Sequence, residues 1–302
     1  MDRHAWYPTG ECGGGCIHPP RGRAGAIRQA VRVARLLSVV LVLALVAPVA
    51  WRVAPRRRHR LASWSSRRVL RALGATVVVD DRRLVDADPR VPVGGLIVAN
   101  HVSFLDILAI ATITPARFVA KAEVLAMPGI GVLARRVGVI GIRRESLRQL
   151  PATVDRVADA LRAGGAVAVF PEGTTWCGAA AGRFRPAFFR AAHAAGSPIM
   201  PMTVAFREDD GHHCSAGAFI GDDGPLDTLR RILAVRDLVI TVTAHPVQLP
   251  TPDRRADARA AEAAVWGGAQ SARSSDNSKY SAGAKPARRA MVDVGKARSR
   301  AL

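Results

Sequence analysis

The chain is poor in aromatic residues, in cysteine and in acids, and each shortage narrows what it does. Phe, Trp and Tyr together make up 5% of its 302 residues, and only two are Tyr. No basic stripe is interleaved with aromatics, so no platform for stacking nucleobases is present and no nucleic acid is expected as a partner. The four cysteines, Cys12, Cys16, Cys177 and Cys214, lack the spacing of a disulfide framework. Cys12, Cys16 and His18 lie close together in a Gly-rich head, but no second ligand pair is near them in sequence. No metal and no cofactor are therefore expected, and the main domain suits a reducing compartment. There is no internal repeat. The apolar run at residues 36–51 is shorter than the ~20 residues that cross a bilayer unaided, and Pro48 disturbs its last turn.

Acids number 24 against 44 Lys and Arg, a formal net charge of +20. A surplus of this size calls for an anionic partner. Much of it lies around residues 21–60 and 273–300, and the first basic region brackets the apolar run. That arrangement fits an anionic membrane surface. The run lies far from Met1, and several basic residues follow it, with no small-residue cleavage site leading into a secreted domain. It reads as a re-entrant or shallow anchor. Residues 61–73 read as a basic helix with Trp64, Leu70 and Leu73 among its apolar positions.

From Ala75 the pattern alternates. Short apolar or β-branched runs at 75–79, 96–99, 117–120, 139–142, 166–170, 199–206 and 238–243 predict strands. Helical periods at 103–113, 124–137, 150–163, 186–195 and 226–235 separate them. The expected fold class is α/β, a central, mostly parallel sheet flanked by helices, with a hydrophobic membrane-associated helix before it. The expected division is a disordered basic segment at 1–35, a membrane-associated helical segment at 36–73, one folded domain at 74–250 and a disordered basic tail at 251–302.

The strand at 96–99 runs into Asn100-His101-Val102-Ser103-Phe104-Leu105-Asp106. Reactive groups of α/β folds gather where strands end. A histidine there suits removal of a proton from an alcohol near neutral pH, and a carboxylate on one ring nitrogen fixes the tautomer. The same residues also fit a capping signal, in which Ser103-x-x-Asp106 serves a helix N-terminus and His101 is a loop residue. The strand at 166–170 is followed at once by Pro171-Glu172-Gly173-Thr174-Thr175. Gly173 permits a sharp turn or the close approach of a ligand. Thr174, Thr175 and nearby amides are candidate donors to an oxyanion, and Glu172 is a candidate for orienting the acceptor or a cation. Arg183 and Arg185 follow and add positive charge. An ordinary turn closing a strand accounts for the same block.

Taken together these blocks resemble the signature of the glycerolipid acyltransferase family, whose best-known bacterial members are the 1-acylglycerol-3-phosphate acyltransferases. Asn100, His101 and Asp106 match its first block. Gly138-Val139-Ile140-Gly141-Ile142-Arg143-Arg144 is similar to its second, and residues 170–174 match Phe-Pro-Glu-Gly-Thr without change. Ile199-Met200-Pro201-Met202 is similar to its fourth. The resemblance covers about residues 77–247. It implies a glycerol-3-phosphate acyltransferase-like fold and an acyltransferase domain at 74–250. It implies transfer of a fatty acyl group from acyl-CoA or acyl carrier protein to a lysophospholipid hydroxyl, most simply that of 1-acyl-sn-glycerol-3-phosphate. His101 would be the general base and Asp106 its partner. Arg144 would bind the acceptor phosphate, with Arg143 as the other choice of register, and Glu172, Gly173 and Thr174 would complete the pocket. Pro201 would shape the acyl region, and Lys121 is a further candidate for charge near the site. The cytoplasmic face of the cell membrane is the implied location. Two departures stand out. Arg143 precedes Arg144 where many members have Asp or another residue, and Thr175 follows Thr174 where many have Arg. The second leaves room for a different lysolipid, such as lyso-ornithine lipid.

Overall fold

Apolar runs too short for helices pair into one seven-stranded sheet, and longer periodic segments cover it on both faces. The computed structural model describes residues 7–50, 55–83 and 94–280. In chain order the elements are α1 (Ala26–Ala50), α2 (Pro55–Ala72), β1 (Ala75–Asp81), β2 (Gly95–Ala99), α3 (Leu105–Ala111), β3 (Arg117–Lys121), α4 (Ala122–Ala126), α5 (Ile130–Arg136), β4 (Ile140–Ile142), α6 (Leu150–Arg162), β5 (Ala166–Val169), α7 (Phe189–Ala195), β6 (Ile199–Glu208), α8 (Pro225–Ala234), β7 (Leu238–Ala244) and α9 (Arg254–Tyr280). The strand order is β1-β7-β6-β2-β5-β3-β4. From β6 to β4 every pairing is parallel, whereas β7 runs antiparallel to β6 and carries β1 parallel to itself. The expected mostly parallel α/β sheet is the fold observed.

β2 and β5 lie in the middle and are buried along their whole length. That is why they read as unbroken apolar runs rather than alternating ones. Successive side chains of β2 still go to opposite faces. Ile97 and Ala99 join Leu70, Leu105, Ile110 and Ile232 in one core. Leu96 and Val98 join Val157, Leu161, Phe189, Ala261 and Val265 in the other.

Three expectations need correction. The helix expected at 124–137 is two, α4 and α5. The residue before a proline is driven out of the helical region, so Met127 is extended before Pro128, and Gly129 then turns the chain at φ +68°.

The basic segment expected to be disordered at 1–35 is instead docked from Tyr7 onward. Arg21 and Gly22 give their N–H groups to the buried Glu208 carboxylate, at 3.0 and 2.9 Å. Ala24 donates to the Ala234 carbonyl, and Arg236 donates back to that of Gly22. Arg32, 4% exposed, hydrogen-bonds the carbonyls of Leu233, Val235 and Arg236 at 2.9, 2.5 and 2.5 Å. The Leu233 and Val235 carbonyls are among those that the end of α8 leaves without helical partners, at the negative pole of its dipole. A Cβ on Gly74 would stand 2.2 Å from that guanidinium, so only glycine leaves Arg32 its channel. The hidden signal was a charge spent on backbone rather than on a carboxylate.

The tail expected to be disordered from 251 begins as α9. Ala258, Ala261 and Val265 are buried in it, a helical stripe built mainly of alanine. Residues 1–6 and 281–302, parts of the two segments expected to be disordered, lie outside the described residues, as does Trp51 at the end of the apolar run.

α1 also starts ten residues before the apolar run, so that a 21-residue stretch, Ala26–Val46, is long and apolar enough to cross a membrane. Leu37, Val40, Leu41, Val42, Leu45 and Val46 are all exposed on it. Burying each such side chain is worth roughly 1.5–3 kcal/mol, a gain that this helix leaves untaken within the protein.

Arg32→Ala strips two buried carbonyls and one part-buried carbonyl of their donor and should cost about 2–4 kcal/mol of stability. Denaturant titration in detergent checks this, with Arg32→Lys expected to fall between the variant and the parent.

Candidate active site

Parallel strands deliver their C-terminal ends to one edge. β2 pairs with β5 so that Val98 lies opposite Val169, and the residues that follow each strand therefore emerge side by side. His101 comes from the first and Phe170 from the second. Their rings stack at 3.9 Å with planes 9° apart. β4, two strands farther along, ends at the same edge just before Arg143 and Arg144.

His101 Nδ1 lies 2.8 Å from Asp106 Oδ2. The same oxygen accepts the N–H groups of Val102 at 2.7 Å and Ser103 at 2.9 Å. Both sequence readings of Asp106 thus hold at once: it organises the turn ahead of α3 and it grips the imidazole. Ser103 does not cap the helix with its hydroxyl; its buried Oγ has no hydrogen-bond partner among the described residues. A carboxylate can only accept, so the contact assigns the ring proton to Nδ1 and leaves a lone pair on Nε2. Nε2 makes no hydrogen bond among the described residues. The Asp106 side chain is 0% exposed and that of His101 13%, so the pair opens only at the imidazole.

The backbone around the histidine is clamped from three directions. Asn100 trades two hydrogen bonds with Val204 of β6, at 2.9 and 2.8 Å. The His101 carbonyl accepts from Trp176 N–H at 2.8 Å. The His101 N–H donates to Glu172 Oε2 at 2.7 Å, and the other Glu172 oxygen accepts Gly182 N–H at 3.0 Å. Glu172 was expected to face the acceptor. It is instead 3% exposed with both oxygens committed to backbone, and it ties the Pro-Glu-Gly-Thr turn to the histidine. Burial pushes its carboxyl up to about 8, against the two N–H bonds that favour the charged form.

Gly173, at φ +79°, makes the turn, and Pro8 lies against it: a Cβ there would meet Pro8 Cβ at 2.8 Å. Thr175 is not available as an oxyanion donor, because its hydroxyl donates to the Phe219 carbonyl. Thr174 is half-buried beside Gly10. Arg144 is half-buried and Arg143 exposed. Burial lowers the Arg144 pKa, while Tyr7, Glu145 and Glu123 act to raise it. Lys121 is exposed at the end of β3, and Arg183 and Arg185 are exposed after the turn. Pro201 is buried in β6 opposite Val98. The Asn100 clamp, the Phe170 stack and the approach of residues 7–10 were not read from sequence. The first two stood inside quoted motifs, while nothing local marks the third.

Known proteins bear on this geometry. A family model described as Acyltransferase matches residues 84–205. A lyso-ornithine lipid O-acyltransferase of Pseudomonas aeruginosa is 36% identical over 248 residues, covering 79% of this chain and 92% of the relative. A 1-acyl-sn-glycerol-3-phosphate acyltransferase of Neisseria meningitidis is 31% identical over 188 residues, 62% of this chain and 71% of the relative. The crystal structure of the 1-acyl-sn-glycerophosphate acyltransferase PlsC from Thermotoga maritima superposes with a TM-score of 0.61 at 19% identity. That match covers 81% of this chain and 96% of that one, and it shares the fold.

A carboxyl raised from 4.5 to about 8 holds a proton in the folded protein that the unfolded chain has lost. Its contribution to stability therefore falls as pH rises through that window. Glu172→Gln should remove this slope from a plot of Tm against pH. It should also lower Tm at acid pH, because the amide nitrogen would face one of the two N–H donors, at a cost of about 1–3 kcal/mol.

Proposed function

The chain belongs to the acyltransferase family, and from that premise we propose that it transfers a fatty acyl group from a thioester, on acyl-CoA or acyl carrier protein, to a lysolipid hydroxyl. The observation that carries the proposal is the His101–Asp106 contact of 2.8 Å, with Nε2 at the sheet edge making no hydrogen bond among the described residues. Nε2 takes the proton of the acceptor hydroxyl as its oxygen attacks the thioester carbonyl. The C–O bond forms, the C–S bond breaks, and the departing sulfur receives the proton from the imidazolium. Asp106 stabilises that imidazolium through Nδ1. The acceptor oxygen is itself the nucleophile, so no acyl-enzyme is required.

Arg144 is the proposed phosphate ligand. It stands in the loop after β4 at the same edge, and its partial burial makes its charge count for more than that of exposed Arg143. A guanidinium also makes paired hydrogen bonds to phosphate oxygens. On this reading the acceptor is 1-acyl-sn-glycerol-3-phosphate, with Gly173 and Thr174 beside it. A second acceptor, lyso-ornithine lipid, is favoured by the 36% identical Pseudomonas relative, of which the chain covers 92%. It is favoured too by Thr175, a neutral side chain spent on a backbone carbonyl. An ornithine head group carries a carboxylate and an ammonium and no phosphate, so it asks less of a cationic cradle.

The proposed location is the cell membrane, entered from the cytoplasmic face. α1 and α2 pack on one another. Arg32 of α1 is fixed to α8, and Leu70 of α2 is buried in the core. Both helices are thus tethered to the one domain, and α2 is too basic to cross a bilayer. The apolar stretch of α1 then dips into the lipid without carrying the chain across it, and the bracketing arginines meet anionic head groups.

Purified protein offered one acyl-CoA and either lysolipid, with the product read by mass, tests the activity and chooses the acceptor. His101→Ala should lower kcat by about 10²–10⁴ in a protein that still folds cooperatively, with Tm lowered by the donor taken from buried Asp106; near-parental turnover would remove the proposed base.

Arg144→Ala should raise the acceptor KM about tenfold or more and leave the donor KM alone. An unchanged acceptor KM with 1-acyl-sn-glycerol-3-phosphate would dismiss Arg144 as its phosphate ligand.

A further inference from the structure

Three of the four cysteines meet outside the acyl-transfer pair. Cys12 and Cys16 bracket Gly13-Gly14-Gly15 in the N-terminal segment, and Cys177 follows Trp176 in the loop after the Pro-Glu-Gly-Thr turn. Their Sγ atoms all lie within 4.8 Å of one another, although 165 residues separate Cys12 from Cys177. Cys214 is buried and stands apart from the group.

Backbone amides point at the sulfurs. Cys177 N–H donates to Cys12 Sγ, and Ala180 N–H donates to Cys177 Sγ, each at 3.4 Å. Gly178, at φ +85°, bends the chain so that the following amides come back toward the Cys177 sulfur. Two of the three sulfurs thus already accept backbone N–H groups, as metal-bound sulfurs do. Thiolates about 2.3 Å from a tetrahedral ion stand roughly 3.8 Å from each other, a separation that the cluster's 4.8 Å bound admits. A disulfide joins two sulfurs at about 2.05 Å and would leave the third without a role.

We propose that Cys12, Cys16 and Cys177 form a binding site for a thiophilic cation of the zinc class, which clips the N-terminal segment onto the loop after the Pro-Glu-Gly-Thr turn. Three thiolates select a soft or borderline ion over magnesium or calcium. Three thiol protons are released on binding, and water completes the shell. The clip holds the segment that reaches the acyl-transfer site. Pro8 sits against Gly173, Gly10 sits against Thr174 and Thr175, and Tyr7 is an electrostatic neighbour of Arg144. The ion does no chemistry on the substrate; it fixes the strap beside the head-group side of the site. The site rests on the sulfur geometry and stands whether or not the proposed acceptor is correct.

The test uses the full-length protein, purified in detergent without chelator. Elemental analysis should find roughly one zinc per chain, lost in Cys12→Ser/Cys16→Ser and in Cys177→Ser and retained in Cys214→Ser. After chelation and dialysis against cobalt(II), the parent should develop sulfur-to-cobalt charge-transfer absorption. Chelation should also speed proteolysis within residues 7–25 about tenfold. Protein without metal that gives no cobalt spectrum overturns the proposal. So does a disulfide-linked peptide pairing any two of the three cysteines, seen as the loss of two hydrogens. The cobalt and proteolysis readouts use the parent protein, so the outcome does not hang on a serine variant that fails to fold.

Discussion

One carboxylate oxygen organises the site. Asp106 Oδ2 accepts two amides from the turn that precedes its own helix and the Nδ1 proton of His101. The oxygen is wholly buried, so losing any of these donors would leave it short of compensation in a medium where charge is costly. The turn and the imidazole therefore hold each other. The turn cannot open without uncovering the carboxylate, and the ring cannot rotate without forfeiting its share of the bond. A parallel sheet supplies the rest. β2 and β5 end in register, and the Phe170 ring is laid flat against His101. The imidazole proposed as general base is pre-organised by backbone, which loses nothing in side-chain entropy when a substrate arrives.

Glu172 extends the same logic. An acid in the middle of a substrate-recognition motif invites a role in touching substrate. Its geometry says otherwise: each oxygen is used on a main-chain N–H, one of them that of His101. A buried carboxyl is an expensive fastener. Its use here links the two strand-end loops directly, beside the Trp176 N–H bond to the His101 carbonyl and the Phe170 stack. A glutamine would be the wrong replacement because both partners are donors.

The alternation of short apolar runs with helical periods was enough to read the α/β sheet. The His101–Asp106 contact was legible because both residues lie within seven of one strand end. What escaped was non-local. Arg32 finds its acceptors more than 200 residues away at the end of α8, and a basic, Gly-rich stretch carries no trace of such a partner. α9 buries an alanine stripe, which gives almost no hydrophobic period. The third cysteine of the cluster lies 161 residues after Cys16 in sequence, so counting ligands near Cys12 and Cys16 could not find it. Local spacing reveals chemistry that one loop builds; it is silent where two distant segments build it together.

Arg32 also decides how the anchor and the enzyme move. An apolar helix joined to a domain by a loose linker would let the site drift relative to the bilayer. Here the guanidinium fixes α1 to the end of α8 within its second turn, before the exposed leucines begin. A helix of 25 residues rises roughly 37 Å, so most of its length projects past that clamp. α2 then brings the chain back, and its Leu70, with Leu73 just past its end, is buried in the core, where α2 packs on α3. With both ends of the hairpin held, the proposed placement of the apolar stretch in lipid would set the height of the sheet edge above it. A lysolipid keeps its tail in the bilayer while its hydroxyl is acylated. For such a substrate, fixing the height of His101 above the acyl chains amounts to positioning the acceptor. Binding energy for the tail is then supplied by the membrane, and the protein needs polar groups for the head group alone.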